Sequence, residues 1–349
     1  MKSILKSWLD RYLSDPEAIL LAFTLILAIF FISTTLTLLT PVFAGLVIAY
    51  LLQGLVTWLE RYSLPHWAAV TCVFVLFVTL LVASLIWVIP LLINQLTAFV
   101  SEIPAMINAS LNALNDLPDK YPDYVTQENL QQVFREIKQS SSKLGQKILS
   151  FSIASIPGLF TVVIYLVLVP FLVYFFLLDK DKIINWLTNF LPHEHRVMKN
   201  IWQRVDLQLG NYIRGKVLEI IIVTLATYIS FLSFKLNYAF LLAVLVGLSV
   251  LVPFIGVTVV TVPVIIVAFM QWGFSASFIW TIVIYSILCI LDANLLVPIL
   301  FAEAVNLHPI AIITAVLFFG SIWGFWGVFF AIPLASLVQA VICAWPKKD

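Results

Sequence analysis

Residues 238–270 have the sequence YAFLLAVLVGLSVLVPFIGVTVVTVPVIIVAFM, which contains no Asp, Glu, Lys or Arg. They belong to a charge-free run from residue 236 to residue 291, and a second run extends from residue 304 to residue 346. A membrane-spanning helix needs about 20 apolar residues, whereas a straight helix over 238–270 would be about 50 Å long, against a hydrocarbon core of about 30 Å. The stretch therefore predicts membrane-embedded helix with an interruption.

Two interruptions are predicted, one in each long apolar stretch. The first stretch contains VPFIG at 252–256, and the somewhat longer stretch 309–345 contains GSIWGFWG at 320–327. Proline removes a helical donor and glycine loosens the backbone, so helices break at such places. Paired broken helices are typical of substrate sites in transporters. The alternative is a kinked structural helix, and for the glycines close helix packing. The candidate break or gating residues are Pro253, Gly256, Pro298, Gly320, Gly324, Gly327 and Pro333.

The composition excludes several classes of protein. Hydrophobic residues make up 62% of the chain and charged residues 11%, with a formal net charge of +1. A solvated soluble enzyme carries about a quarter charged residues, and a nucleic-acid partner calls for a strong positive balance. The three cysteines are far apart, which predicts no disulfide framework, metal cluster or cofactor. No catalytic or nucleotide-binding motif is present, so the chain is predicted to be neither an enzyme nor ATP-driven.

The fold class predicted is an all-α polytopic membrane protein with about eight transmembrane helices. The apolar spans and the polar segments between them divide the chain into five parts. They are an N-terminal membrane part with three transmembrane helices (1–93), an extracytoplasmic amphipathic helical insertion (94–150), transmembrane helix 4 (151–178), a cytoplasmic amphipathic region (179–216), and a C-terminal membrane part with broken helices (217–349).

Basic residues predict the orientation in the bilayer. Lys2, Lys6, Arg11, Arg61 and the seven bases of 179–216 fall on one side of the predicted spans. By the positive-inside rule this side is cytoplasmic, so both termini are expected in the cytoplasm and the insertion outside. The two interrupted stretches must then behave alike. Either each crosses the bilayer once or each folds back as a re-entrant hairpin, and the sequence leaves both open.

Asp292 is the most conspicuous polar group, because it follows a long apolar run. A charge at the bilayer centre costs at least about 2.5 kcal/mol, so something must compensate it. With Asn294 two residues later, Asp292 is a candidate proton or cation site that faces a cavity. The alternative is a charge near a helix end, hydrogen-bonded to backbone.

Three further residues are weaker candidates for a substrate or ion pathway. Glu219 lies just inside the predicted fifth span, where an interfacial ion pair with Arg214 or Lys216 competes with a transport role. Glu303 and His308 lie in the polar turn 301–308, and a histidine there could titrate near physiological pH. No histidine spacing predicts a metal site.

Several motifs along the chain resemble those of one family. They are SDPEAI at 14–19, NYIRGKVLE at 211–219, LVPFIG at 251–256, NLLVP at 294–298, NLHP at 306–309, GFWG at 324–327 and IPLA at 332–335. Together they resemble the AI-2E (autoinducer-2 exporter) family, in particular its PerM permease branch. The resemblance implies a bacterial inner-membrane protein in the lipid bilayer, with about eight helices and a homo-oligomeric assembly, in which a pentamer is the expected form.

The resemblance also implies a function. Better-studied relatives export the quorum-sensing molecule autoinducer-2, and others are linked to sodium or lithium/proton antiport. The leading hypothesis is therefore an inner-membrane permease or exporter of a small polar solute, such as autoinducer-2, that works by secondary transport. The alternatives are a sodium/proton antiporter and a non-transporting oligomeric membrane scaffold.

Overall fold

The computed structural model describes residues 39–114, 156–189, 196–253, 255–301 and 307–344. Within these ranges every regular element is a helix, and seven helices are long and apolar enough to cross a membrane. A shorter apolar helix accompanies them. The predicted all-α polytopic fold is therefore confirmed. The predicted first span and most of the extracytoplasmic insertion lie outside the described residues.

The N-terminal part is a small helical bundle. Helix α1 is Leu39–Glu60, and α2 (His66–Ala83) continues into α3 (Ile89–Leu114) through a π-helical turn at Ser84–Val88. Helix α4 (Ile156–Leu178) packs beside α2, and the short α5 (Lys180–Thr188) follows it. The buried contacts among α1, α2 and α4 are Ala49, Val56, Ala69, Val70, Val73, Val173 and Leu177.

The helix that begins at His66 is longer than the sequence predicts. Its apolar part extends to Ile103, past the boundary expected between residues 93 and 94. Pro90 does not end it, because the π-helical turn just before accommodates the missing N–H. Hydroxyl groups beyond it donate to carbonyls of the same helix, as Thr97 does to Ile93.

Helix α6 (Arg196–Ser233) joins two segments that the sequence separates. The predicted boundary between the amphipathic region and the fifth span, at 216/217, falls inside this one helix. The sequence changes at this boundary from amphipathic to apolar because the surroundings of the helix change, not because the helix ends. Since no proline interrupts Arg196–Ser233, the backbone continues unbroken.

The first interrupted stretch folds back on itself. Helix α7 (Ala239–Ser249) ends and helix α8 (Ile255–Trp272) begins around the VPFIG motif, as that motif predicts. The side chain of Gln271, at the end of α8, donates to the carbonyl of Lys235 and accepts from the N–H of Asn237, both at 2.8 Å. The two helices therefore start and end at the same level and form hairpin 1 (residues 239–272).

The second interrupted stretch also folds back. Helix α11 (Pro309–Phe329) contains a sharp kink at Gly324, whose φ of 57° and ψ of −131° are not helical, and α12 (Ala331–Ala344) follows. Residues before the kink, including Phe319 and Trp323, pack against Ala331 beyond it. These residues form hairpin 2 (309–344). The expected interruption of the C-terminal helices is thus confirmed, and both stretches are hairpins.

A broken transmembrane helix lies between the hairpins. Helix α9 (Ala276–Leu291), a π-helical turn at Asp292–Leu296 and α10 (Val297–Phe301) together form one span. The tip of hairpin 1 meets hairpin 2 beside this span and α6. The cluster at this meeting point contains Val47, Tyr212, Ile213, Leu251, Phe301, Phe329 and Ile332.

Candidate functional site

A buried ion pair lies where the two hairpins meet. The Nζ of Lys216 is 2.8 Å from Oε2 of Glu219, one helical turn away on α6. The two side chains are only 5% and 2% exposed. Both charges lie within the span Gln208–Ser233. Two charges in so apolar a setting are costly unless they are paired. Each of the two residues therefore needs the other in order to stay charged inside the span.

The close approach of α10 to α6 places an aromatic ring on the lysine. The Lys216 ammonium lies 5.5 Å from the centre of the Phe301 ring, a cation–π arrangement. Gly215 permits this approach, because a Cβ there would lie 3.0 Å from Phe301 and 3.3 Å from the carbonyl of Leu300. A larger residue at 215 would push α10 away from the ion pair.

Asp292 adds a second carboxylate to the same place. It begins the π-helical turn and is close enough to Lys216 and Glu219 for electrostatic interaction with both. Its Oδ1 is buried without a hydrogen-bond partner among the described residues. Lys216, Glu219 and Asp292 are named the charge cluster below. One ammonium faces two carboxylates, so the cluster has room for one further proton or one cationic or hydrogen-donating ligand.

Tyr212 connects the charge cluster to hairpin 2. It lies one helical turn before Lys216, is 2% exposed, and donates its hydroxyl hydrogen to the carbonyl of Phe329 at 3.0 Å. Its ring contacts Phe301, with 5.6 Å between the ring centres. Since Phe329 follows the Gly324 kink, this hydrogen bond joins the segment after the kink directly to α6 beside the ion pair.

The predicted pathway residues are only partly brought together. The structure places Glu219 beside Asp292, while Asn294 is exposed and donates to the carbonyl of Ile290 in its own helix at 2.9 Å. His308 caps α11, where its Nδ1 accepts from the N–H of Ile310 at 3.3 Å. Neither of these two reaches the charge cluster. Glu303 lies outside the described residues.

Lys216 is the member that sequence reasoning treats only as a partner for Glu219. Its neighbour Arg214, the other predicted partner, is exposed and instead lies near Tyr50, which hydrogen-bonds Asp206. The i, i+3 spacing of Lys216 and Glu219 was the available signal. The missing information was that α6 is continuous and buries both residues.

The predicted break residues lie at different places in the two hairpins, except Pro298, which lies in α10. Gly256 sits at the tip of hairpin 1, where a Cβ would lie 1.8 Å from the carbonyl oxygen of Ser249. Gly327 has the same role in hairpin 2, where a Cβ would lie 1.9 Å from the carbonyl oxygen of Phe319. The remaining ones are Pro253 at the tip of hairpin 1, Gly320 and Gly324 at the kink of hairpin 2, Pro333, which is buried in α12, and Pro298, which is exposed on α10.

An apolar cavity lies between α1, α6 and hairpin 2. It has a volume of about 180 Å³ and is lined by aromatic and aliphatic side chains of α1, α6 and hairpin 2, among them Phe43, Ile213 and Trp326. Its lining carries no ionisable side chain, so it does not suit a polar solute. Across the described ranges, no group of three His, Cys, Asp or Glu could hold a metal ion.

Comparison with known proteins agrees with the resemblance seen in the motifs. Residues 18–347 match the family described as AI-2E family transporter. The chain is 42% identical to "Putative permease PerM" of Escherichia coli K12, over 99% of this chain and 98% of that protein. It is 26% identical to "Putative transport protein YueF" of Bacillus subtilis, over 87% of this chain and 83% of that protein. The predicted family resemblance is confirmed.

Proposed function

Because the chain belongs to the AI-2E transporter family, we propose that it is a secondary permease that exports a small polar solute of the autoinducer-2 kind. It is a multi-pass membrane protein of a bacterial permease family, and its relatives carry the names permease and transport protein. The solute, the direction and the use of an ion gradient are parts of the proposal, as is the absence of enzymatic activity.

The observation that carries the proposal is the charge cluster inside two membrane-spanning helices. Three ionisable groups at this depth need a compensating role, and in transporters such groups bind substrates or protons. The Lys216 ammonium donates hydrogen bonds, and the carboxylates of Glu219 and Asp292 accept them. A polyhydroxylated solute offers both kinds of partner. The unpartnered Oδ1 of Asp292 is the atom best placed to take a proton or a solute hydroxyl.

The hairpins supply a way to alternate access to this cluster. Hairpin 1 and hairpin 2 meet beside α6, and hydrogen-bonded contact between Tyr212 and Phe329 connects hairpin 2 to the site. In our proposal, small movements of the Gly324 kink or of residues 250–253 at the tip of hairpin 1 open the site to one side at a time. Irregular backbone within the bilayer is tolerated beside such a cavity.

The same proposal places the protein in the inner membrane with both termini in the cytoplasm and as a homo-oligomer, with the pentamer as the form to test. The positive-inside argument supports the orientation, and the family resemblance supports the assembly. Native mass spectrometry from detergent measures the subunit number directly. A monomer under mild detergent conditions would contradict the assembly.

Sodium/proton antiport is the second candidate function. It is favoured by the two carboxylates near one ammonium, since carboxylate oxygens are the ligands that hard cations prefer. Against it, the described residues bring only these two acids together. In this case a sodium gradient alone would drive proton movement, without any organic solute.

The test is a flux assay in proteoliposomes with an imposed proton or sodium gradient. We expect gradient-dependent release of autoinducer-2 by the unaltered protein and at least a 10-fold loss in Asp292→Asn. The matched control is Asp179→Asn, because Asp179 is a surface acid paired with Lys182 at 2.7 Å. Cation exchange without solute flux would favour antiport. Absence of both would contradict transport and favour the scaffold.

A further inference from the structure

Helix α9 carries a row of polar side chains on its buried face. The residues recur at intervals of four, four and three, which places them on one side of a helix. Thr281 is fully buried and Tyr285 is 2% exposed, whereas the opposite face, with Ile279 and Ile287, is apolar and exposed. The row runs from the start of α9 toward the charge cluster and consists of Thr281, Tyr285, Cys289 and Asp292.

Hydrogen bonds connect the middle of this row to hairpin 1. The Tyr285 hydroxyl lies 2.8 Å from Oγ1 of Thr261 on α8, and it is close enough to the thiol of Cys289, one turn further on, to interact with it. Cys289 in turn lies within electrostatic range of Asp292. The polar groups therefore form a continuous series that ends at the unpartnered carboxylate oxygen.

Helix α6 contributes to the same region. Ser230 lies eleven residues after Glu219, three helical turns, so both residues share a face of α6. The Ser230 hydroxyl is buried without a hydrogen-bond partner among the described residues, like Oδ1 of Asp292. Buried polar groups are satisfied in native proteins, and where the protein offers no partner, water or a ligand provides it. Ser230 Oγ and Asp292 Oδ1, on neighbouring helices, are therefore candidate contacts for water; the third such atom among the described residues, Nε1 of Trp323, lies in hairpin 2.

We propose that the row Tyr285, Cys289 and Asp292, with Thr261, lines a hydrated path through which Asp292 exchanges protons with the side of the membrane where α9 begins. The inference rests on the proposed secondary transport for its purpose, since it assigns the route of the coupling proton. A proton that arrives from the solution converts the Asp292 carboxylate to the acid. When the proton leaves, the carboxylate forms again.

The surroundings of Asp292 support this route over others. Among the described residues, the ionisable groups that interact with it are Lys216 and Glu219 of α6 and the Cys289 thiol of its own helix. The sequences of α7, α8 and α11 contain no Asp, Glu, Lys or Arg. The apolar cavity beside hairpin 2 is lined by no ionisable side chain. Among the described residues, the polar row of α9 is therefore the connection from Asp292 toward the start of α9.

The native thiol of Cys289 makes this path measurable without a transport assay. In a variant with Cys72→Ala and Cys343→Ala, Cys289 is the remaining cysteine. Small charged methanethiosulfonates react with thiolates in water and not with thiols in a lipid or protein interior. We expect Cys289 in native proteoliposomes to react with such a reagent added on the side where α9 begins.

The matched control is Ile290→Cys in a Cys289→Ala background. Ile290 lies at the same depth but on the exposed apolar face of α9, where it is 59% exposed to the membrane side. We expect Cys289 to react at least 10-fold faster than a cysteine at 290. Equal rates, or reaction of Cys289 only after unfolding in detergent, would overturn the path.

A second variant tests the hydroxyl of the path. Tyr285→Phe keeps the ring that packs on Phe231 and removes the group that bonds Thr261. We expect a several-fold loss of proton-driven flux and a shifted dependence on the pH of the side where α9 begins. Tyr228→Phe, whose ring packs on Phe240, is the control. An unchanged pH profile in Tyr285→Phe would contradict the route.

The two experiments separate this inference from the proposed function. Reaction of Cys289 in protein that transports no solute would support the hydrated path and contradict the proposed transport of the solute. Flux of solute by protein whose Cys289 stays unreactive would support transport and overturn the path.

Discussion

Lys216 and Glu219 stabilise the fold only as a pair. Each charge is buried in a membrane-spanning helix, and their distance of 2.8 Å is that of a charge-assisted hydrogen bond. Removing one partner leaves the other charge uncompensated, whereas removing both leaves an apolar contact of similar volume. The effects of substituting the two residues on stability should therefore be strongly non-additive.

We predict that Lys216→Met alone lowers stability by about 3–5 kcal/mol, because Glu219 then lacks its cation. The double variant Lys216→Met, Glu219→Leu should recover most of this loss and still fail to transport. Thermal unfolding in detergent, followed by the fluorescence of the 11 tryptophans, measures the change in stability. If the stability losses of the two single variants added up in the double variant, the two charges would not compensate each other.

Asp292 and Lys216 show what residue patterns reveal and what they do not. The cost of an acid after a long apolar run was enough to single out Asp292 from the sequence. Lys216 was harder to assign, because a base near the start of a span equally fits the membrane interface. Only the packing of α10 over Gly215 shows that it is buried.

At the scale of elements, the hairpin tips depend on two glycines. A Cβ at Gly256 or Gly327 would lie under 2 Å from a backbone oxygen, 1.8 Å and 1.9 Å respectively. Backbone cannot move away as a flexible side chain can. These positions therefore set how tightly each hairpin closes.

We predict that Gly256→Ala and Gly327→Ala each destabilise the protein by about 1–3 kcal/mol and reduce flux, as overpacking does. Gly54→Ala is the control, because its nearest contact is Arg214 at 3.9 Å and alanine favours a helix. The melting temperature in detergent distinguishes them. A neutral Gly256→Ala would contradict the tight turn at the first tip.

The sequence predicts where the C-terminal helices break but not how the halves are arranged. Proline and glycine mark 252–256 and 320–327 by local backbone chemistry alone. Whether the chain continues or reverses depends on distant contacts, such as Gln271 with Lys235 and Leu251 with Phe329. The predicted boundary at 216/217 falls inside α6, because the polarity of the sequence changes there while the helix continues.

At the scale of the whole molecule, the hairpins set the topology. Because hairpin 1 returns to the level at which it began, Asn237 and Phe274 belong to the same side of the membrane. We predict that Asn237→Cys and Phe274→Cys, both at exposed positions, react with an impermeant thiol reagent from one side only, and from the same side. Labelling from opposite sides would show that 239–272 crosses the bilayer once.

The exposed apolar surface of the described residues fits a protein surrounded by lipid. Large hydrophobic side chains such as Trp87 and Ile229 are 74% and 62% exposed, whereas the charge cluster is enclosed. Polar chemistry is thus concentrated in the interior of the C-terminal half. In the proposed mechanism, Asp292 within that cluster takes up or releases the coupling proton.

The most direct measurement is proton exchange on solute binding by the purified protein in weakly buffered detergent solution. The account predicts that autoinducer-2 causes a pH-dependent release of protons from the unaltered protein, none from Asp292→Asn, and normal release from Asp179→Asn. Undiminished release from a folded Asp292→Asn variant that still binds the solute would contradict the account, because the coupling proton would then reside elsewhere.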